Sequence, residues 1–304
     1  MTSERPKRLR RVQLAVPGSS EKMLAKAAAS AADHVFLDLE DAVAPNAKEA
    51  ARGTIIHALK TLDWGRKTRC VRINDLGTKH AYRDIIDVVE GAGEYLDTIM
   101  VPKVLCAADV HFVATLLHQI ELRIGLKRQI GIEVLIEEVE GMANVEAIAK
   151  ASPRMEAIIL GMGDYSASQG MDPAAFAANS GYPGDIWHYA RNRLVIAARI
   201  AGIDPVDGPY ADFKNPDGYR EECRRAAILG CVGKWAIHPA QIDVALDVFT
   251  PSRASVEAAR AMIAAYREAE AKGFGAVNVN GTMVDVASVR IVTKLVKQAE
   301  LMGM

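Results

Sequence analysis

Ala157-Ile158-Ile159-Leu160-Gly161-Met162-Gly163-Asp164 is an apolar run closed by two glycines and a carboxylate. Such a run reads as a strand buried on both faces, and a charge where it meets a Gly-rich loop contributes little to packing. Upstream, Ile132-Glu133-Val134-Leu135-Ile136-Glu137 repeats the pattern. In one parallel barrel, Glu137 and Asp164 would converge at the C-terminal face, where barrel enzymes keep their chemistry.

Working outward, strand patterns fall near residues 11–16, 34–39, 68–73, 97–104, 129–136, 156–162, 203–206 and 232–237. Between them lie amphipathic segments at 21–30, 47–62, 81–90, 108–124, 186–200 and 216–229, each with one apolar face. Strand–helix repeats of this kind imply parallel pairing with right-handed crossovers. Eight units in about 240 residues match the ~250 of a closed barrel. The expected fold is therefore α/β, a (β/α)8 TIM barrel over residues 1–250. A doubly wound sheet is the competitor, but the first turn, Val16-Pro17-Gly18-Ser19-Ser20, lacks the G-x-G-x-x-G spacing of a dinucleotide fold.

Residues 251–304 are extra to eight units and read as a C-terminal extension. A helix from Ser252 to Gly273 is followed by a strand-like Ala276–Asn280, a Gly281 turn and a helix near 286–300. This extension carries Asp285 and is expected to cover a barrel mouth, its own or a neighbour's. After Asp164 a long connection runs through Met171-Asp172-Pro173 and Gly181-Tyr182-Pro183-Gly184; it reads either as a lid or as an ordinary surface insertion.

With 37 basic and 38 acidic residues, the net charge of −1 offers no overall field for nucleic acid or an anionic membrane. The basic opening (Lys7, Arg8, Arg10, Arg11) precedes only a short apolar run ending at Pro17-Gly18, so no signal peptide or membrane span is expected. Cys70, Cys106, Cys223 and Cys231 form no C-x-x-C pair, which fits a reducing, cytoplasmic setting.

Polar residues recur at strand ends: Glu40, Asp41, Arg72, Lys103, Glu137, Asp164, Asp207 and His238. Glu137 and Asp164 suit Mg2+, which takes a few carboxylates and keeps open positions; a salt-bridge network with Arg72 and Lys103 is the structural alternative. No His or Cys ligand cluster is apparent, which disfavours zinc. Arg72 could clamp a carboxylate or an enolate bidentately. Lys103 could form a Schiff base if desolvated, but acidic strand ends would keep it protonated. Ser19 or Ser20 reads as a helix cap or, with Lys22 and Lys26, as part of a phosphate site. His238, followed by Pro239, reads first as a structural hydrogen-bonder.

Several long motifs in the right order resemble the citrate lyase β-subunit-like group of the HpcH/HpaI aldolase superfamily. They are Leu14-Ala15-Val16-Pro17-Gly18-Ser19, Val35-Phe36-Leu37-Asp38-Leu39-Glu40-Asp41-Ala42-Val43, Val71-Arg72-Ile73-Asn74, Val134-Leu135-Ile136-Glu137 and Gly233-Lys234-Trp235-Ala236-Ile237-His238-Pro239. Within that group, residues 63–67, 141–146 and 205–209 are most similar to the malyl-CoA lyases. The resemblance implies a TIM barrel with a C-terminal extension, in homotrimers or homohexamers, and Mg2+-dependent aldol cleavage of a 3-hydroxyacyl-CoA, with Mn2+ as a substitute ion. It implies Glu137 and Asp164 as metal ligands and Arg72 as the contact to the reacting oxygen. Ser20, Lys26, Gly163, Ile237 and His238 would meet the CoA thioester, and Asp285 would act as acid/base in a neighbouring subunit. A thioesterase, a citramalyl-CoA lyase and a catalytically silent CoA-binding subunit are the rival readings. An acyl-CoA and a 2-oxo acid are the implied small-molecule partners.

Overall fold

The computed structural model describes residues 5–176 and 184–304. Eight strands close into a barrel in chain order, every pair parallel: β1 Val12–Pro17, β2 His34–Asp38, β3 Thr68–Arg72, β4 Thr98–Val101, β5 Gly131–Ile136, β6 Met155–Leu160, β7 Asp204–Asp207 and β8 Gly233–Ala236. The expected (β/α)8 barrel is therefore the fold, and β1 pairs with β8 where an open sheet would leave two edges. Helices follow the strands, among them Glu21–Ala28, Ala107–Ile124, His188–Ala201 and Pro216–Leu229. None of the helices among the described residues is long and apolar enough to cross a membrane.

Parity along the strands sets what faces inward. Phe36, Cys70, Met100, Leu135, Ala157, Ile159, Val206 and Trp235 pack as one buried cluster, the middle of the barrel interior. Because side chains alternate across a strand, residues two positions away share that face. His34 and Asp38, Thr98, and Glu133 and Glu137 therefore project into the barrel, on either side of the cluster along the axis. The same rule turns Asp207, one residue past Val206, toward the helices. There Arg191 Nε donates to Asp207 Oδ1 at 2.9 Å and Lys234 Nζ to Oδ2 at 2.5 Å, all three residues fully buried. The expectation that Asp207 belongs with the polar mouth is thus corrected: it anchors a helix to the sheet.

Two compact units divide the chain, residues 10–247 with Arg5 and Pro6 forming one and 248–304 with Lys7–Leu9 the other. In the second, helix Arg253–Ala271 starts at Ser252, whose hydroxyl accepts the Ser255 N–H at 3.0 Å. A hairpin of β9 Ala276–Val279 and β10 Thr282–Asp285 turns at Asn280 (φ 51°) and Gly281 (φ 84°), the left-handed pair that two-residue hairpin turns require. Helix Val286–Leu301 closes the chain. Of the long connection after Asp164, residues 177–183, including Gly181-Tyr182-Pro183, lie outside the described residues.

Candidate active site

The C-terminal ends of β2 to β6 carry one connected set of charges. Arg72 ends β3 and is 7% exposed. Its Nε and Nη2 donate to Asp38 Oδ1 and Oδ2 at 2.7 and 2.6 Å, while Nη1 lies 2.8 Å from Glu40 Oε2 and 3.7 Å from Asp41 Oδ2. The guanidinium also stands over Phe36 and Trp235, 5.8 and 5.7 Å from their ring centres. Glu40 then bridges to Lys103, whose Nζ donates to Glu40 Oε1 at 2.6 Å and lies 3.2 Å from Asp164 Oδ2.

Lys103 has φ +50°, a conformation that costs a side-chain-bearing residue and persists only where its surroundings impose it. The bend aims its N–H at Glu137 Oε1, 2.9 Å away. Burial alone would lower the Lys103 ammonium, but the hydrogen bond and charge of Glu40, with Glu137 and Asp164, hold it well above the usual lysine value. With its Nζ on the carboxylates of Glu40 and Asp164, Lys103 fits the electrostatic role better than the Schiff-base reading.

Glu137 is 4% exposed, and its Oε1 accepts the Lys103 N–H. Burial, reinforced by the negative charge of Glu40, pushes its carboxyl up to about 8 against the opposing pull of Lys103 and Arg72. Room for it exists only because position 161 is glycine: a Cβ there would stand 2.4 Å from Glu137 Oε2 and 2.5 Å from its Cβ. Asp164 is half-buried in the first turn of helix Met162–Gln169, where free N–H groups favour negative charge.

The remaining predicted residues have local settings of their own. Ser20 caps helix Glu21–Ala28 by accepting the Met23 N–H at 3.4 Å, the structural role that the sequence left open, and Lys26 is exposed on that helix. Gly163 is exposed, with no atom within 4 Å of where a Cβ would stand. Ile237 is 40% exposed after β8. His238 Nδ1 accepts the Ala240 N–H at 3.2 Å and its ring stacks on Phe213 at 4.6 Å, as expected of a structural histidine. Asp285, in the second unit, accepts the N–H and hydroxyl of Ser288, both at 2.9 Å, which holds its carboxyl below the usual range.

Two features escaped the sequence reading. Asp38, which ends an apolar strand, is the partner of Arg72. The structure also contains a His/Cys/Glu cluster, correcting the expectation of none: His34, Cys70 and Glu133 bring ligand-type atoms within 4.8 Å of one another. It runs from Cys70, in the apolar barrel cluster, to His34 and Glu133 on the side away from the mouth. There Glu133 already accepts Arg10 Nε and Nη2 at 3.3 and 3.2 Å, Thr98 Oγ1 at 3.2 Å and Gln13 Nε2 at 2.9 Å, with His34 Nε2 at 3.0 Å. With a guanidinium on the same carboxylate, a second cation has no place there.

The chain belongs to the HpcH/HpaI aldolase/citrate lyase family, whose model matches residues 11–239. It is 47% identical to the L-malyl-CoA/β-methylmalyl-CoA lyase of Cereibacter sphaeroides, over 98% of this chain and 97% of that one. It is 38% identical to the (3S)-malyl-CoA thioesterase of the same species, over 90% and 88% of the two chains. The solved structure of CitE from Mycobacterium tuberculosis in complex with magnesium, acetoacetate and coenzyme A matches with a TM-score of 0.75 at 30% identity, covering 99% of this chain and all of that one.

Proposed function

We propose that this chain catalyses the reversible, Mg2+-dependent aldol cleavage of (S)-malyl-CoA to acetyl-CoA and glyoxylate, and of β-methylmalyl-CoA to propionyl-CoA and glyoxylate. The observation that carries this reading is the near-full-length likeness to a lyase of that name. The mouth supplies matching parts. Its donor set for a cation is all carboxylate, as hard ions prefer, and Glu137 is buried there with its Oε1 held by the Lys103 N–H. Glu137 and Asp164 would hold Mg2+, with Mn2+ as a substitute. When bound, the ion supplies Lewis-acid polarisation of the substrate's carboxylate and hydroxyl oxygens.

The chain's own residues do the rest. Cleavage gives the hydroxyl proton up to solvent, turns that C–O into the carbonyl of glyoxylate, and breaks the bond between C2 and C3 of the malyl unit, leaving its electron pair on the thioester enolate. Arg72, always charged, would meet that enolate oxygen with its Nη1 edge, which Asp38 does not engage and Glu40 flanks. Lys103 stays cationic and keeps Glu40 and Asp164 in place. Asp285 of a neighbouring subunit in a homotrimer or homohexamer would protonate the enolate carbon. In condensation it would remove the acetyl proton instead, a role for which the ionised form favoured by Ser288 is suited. Ser20, Lys26, Gly163, Ile237 and His238 would line the path of the CoA thioester. Four cysteines, none in a disulfide, fit a cytoplasmic setting.

A thioesterase is the second reading, favoured by the 38% relative. Incubation of the purified protein with (S)-malyl-CoA, first with Mg2+ and then with excess EDTA, separates the two by mass spectrometry. Metal-dependent glyoxylate and acetyl-CoA are expected. Malate with free CoA would replace the lyase by the thioesterase, and no turnover of any acyl-CoA would leave a silent CoA-binding subunit. Citramalyl-CoA, which differs by one methyl, belongs in the same assay, because a methyl is worth only about 1–3 kcal/mol of discrimination.

A further inference from the structure

Asp38 is 1% exposed, yet its side chain accepts four hydrogen bonds. Oδ1 takes Arg72 Nε at 2.7 Å and the Glu40 N–H at 2.9 Å; Oδ2 takes Arg72 Nη2 at 2.6 Å and the Ala42 N–H at 2.9 Å. The two residues are direct partners in the β2–β3 register, and the Leu39 N–H closes the pair on the Arg72 carbonyl at 2.9 Å. The Asp38 carbonyl in turn accepts the Gly18 N–H at 2.8 Å, tying in the turn after β1. A bidentate pair fixes a guanidinium in its plane as well as in position, and Phe36 and Trp235 support its face. The Nη1 side, which Glu40 Oε2 flanks at 2.8 Å, is then the side that meets anything entering the mouth.

We propose that Asp38 is the positioning residue for Arg72: it aims the Nη1 edge at the reacting oxygen and, through the N–H groups of Glu40 and Ala42, sets the loop that places Glu40 beside that edge. This rests on the role given above to Arg72. Its physical content is preorganisation. An arginine held on one edge and one face loses little freedom when substrate arrives and does not swing to follow it. A buried ion pair serving only the fold would affect stability without touching the chemical step.

Asp38→Asn keeps the shape but turns an N–H2 toward one guanidinium N–H. Turnover of (S)-malyl-CoA should fall roughly 10–100-fold in kcat, the range for partners that orient an active group. KM and the Mg2+ dependence should move less than about threefold, because substrate and ion meet other residues. In an Arg72→Ala background the same substitution should cause no further loss, since two residues acting as a unit are not additive. Should the Asn variant fail to fold by circular dichroism, Asp38→Glu, which keeps the charge one methylene further out, carries the test with the same expected kcat loss.

A near-normal kcat in a folded Asp38 variant, or losses that multiply in the double variant, would overturn the proposal while leaving Arg72 its role. Full activity in Arg72→Ala would overturn both. A readout independent of turnover is the side-chain Nε–H resonance of Arg72 in protein labelled with 15N-arginine, identified by its loss in Arg72→Ala. It should be protected from exchange in the native protein and lose that protection in Asp38→Asn. Unchanged protection there would contradict the proposal even if another substrate proved to be the right one.

Discussion

Glu133 and Glu137 stand four residues apart, on and just after one strand, and both side chains turn into the barrel. Both are buried, and burial alone pushes each carboxyl upward. At the floor, His34 and Arg10 outweigh that push and hold Glu133 below the usual range. At the mouth, Glu137 receives a single backbone N–H and faces the like charge of Glu40, and its carboxyl rises to about 8. A buried carboxylate is tolerated only when donors or cations meet it. The floor brings its own partners and is finished. The mouth gathers four carboxylates, Asp38, Glu40, Glu137 and Asp164, around two cations, Arg72 and Lys103.

The sharpest break in that comparison is Glu137→Gln. Lewis-acid assistance is worth several kcal/mol, so turnover should fall by roughly 10³-fold or more. Helical content by circular dichroism should remain native. Activity within tenfold of the unmodified protein would erase the distinction between the two glutamates.

At the floor the expected effect is on stability. Arg10→Met removes the guanidinium from Glu133 and from Glu156, whose Oε2 it meets at 2.7 Å. Leaving buried charges without their partner costs about 3–5 kcal/mol. Urea unfolding measures this, and kcat per folded molecule should hardly change. A variant that kept its stability and lost turnover would mean that the floor serves the chemistry.

Gly161→Ala probes the mouth more gently. The added methyl must displace Glu137 Oε2, and the apparent Kd for Mg2+ should rise roughly 10–100-fold, as for other disturbances of a ligand's support. Calorimetric titration that gave an unchanged Kd would show that the tight contact has no bearing on the ion.

The smallest effect is in acid. Because the folded-state pKa of Glu133 is depressed, its ionisation stabilises the fold above the ordinary glutamate range. That contribution fades as pH falls through its folded value. Asp207, depressed by Lys234 and Arg191 against its burial, acts in the same sense. Stability should therefore decline on acidification from about pH 5, and less steeply in Glu133→Gln. Thermal melts across that range check it; parallel curves for the two proteins would contradict the pairing.

Much of this was legible in the chain. Apolar strand patterns closed by Gly or polar residues located all eight strands, and charges at their ends marked Arg72, Lys103, Glu137 and Asp164, because the C-terminal ends of barrel strands face one mouth. What stayed hidden depends on which side of a strand a residue faces. Asp207 looked like a mouth residue until Val206 took the inward position. Asp38 drew no reading of its own because its partner is 34 residues away. Arg10 read as part of a basic opening, since nothing local shows that it reaches Glu133, 123 residues on. Period-two counting from Leu135 does place Glu133 and Glu137 on one face; which of them would find cations is a tertiary fact.

The most direct test of the contrast between floor and mouth is a Mn2+ titration followed by electron paramagnetic resonance on the native protein, Glu137→Gln and Arg10→Met. One ion per chain is predicted for the native protein and for Arg10→Met, with binding lost in Glu137→Gln. An ion that still bound Glu137→Gln with native affinity would contradict the assignment of the mouth as the metal centre.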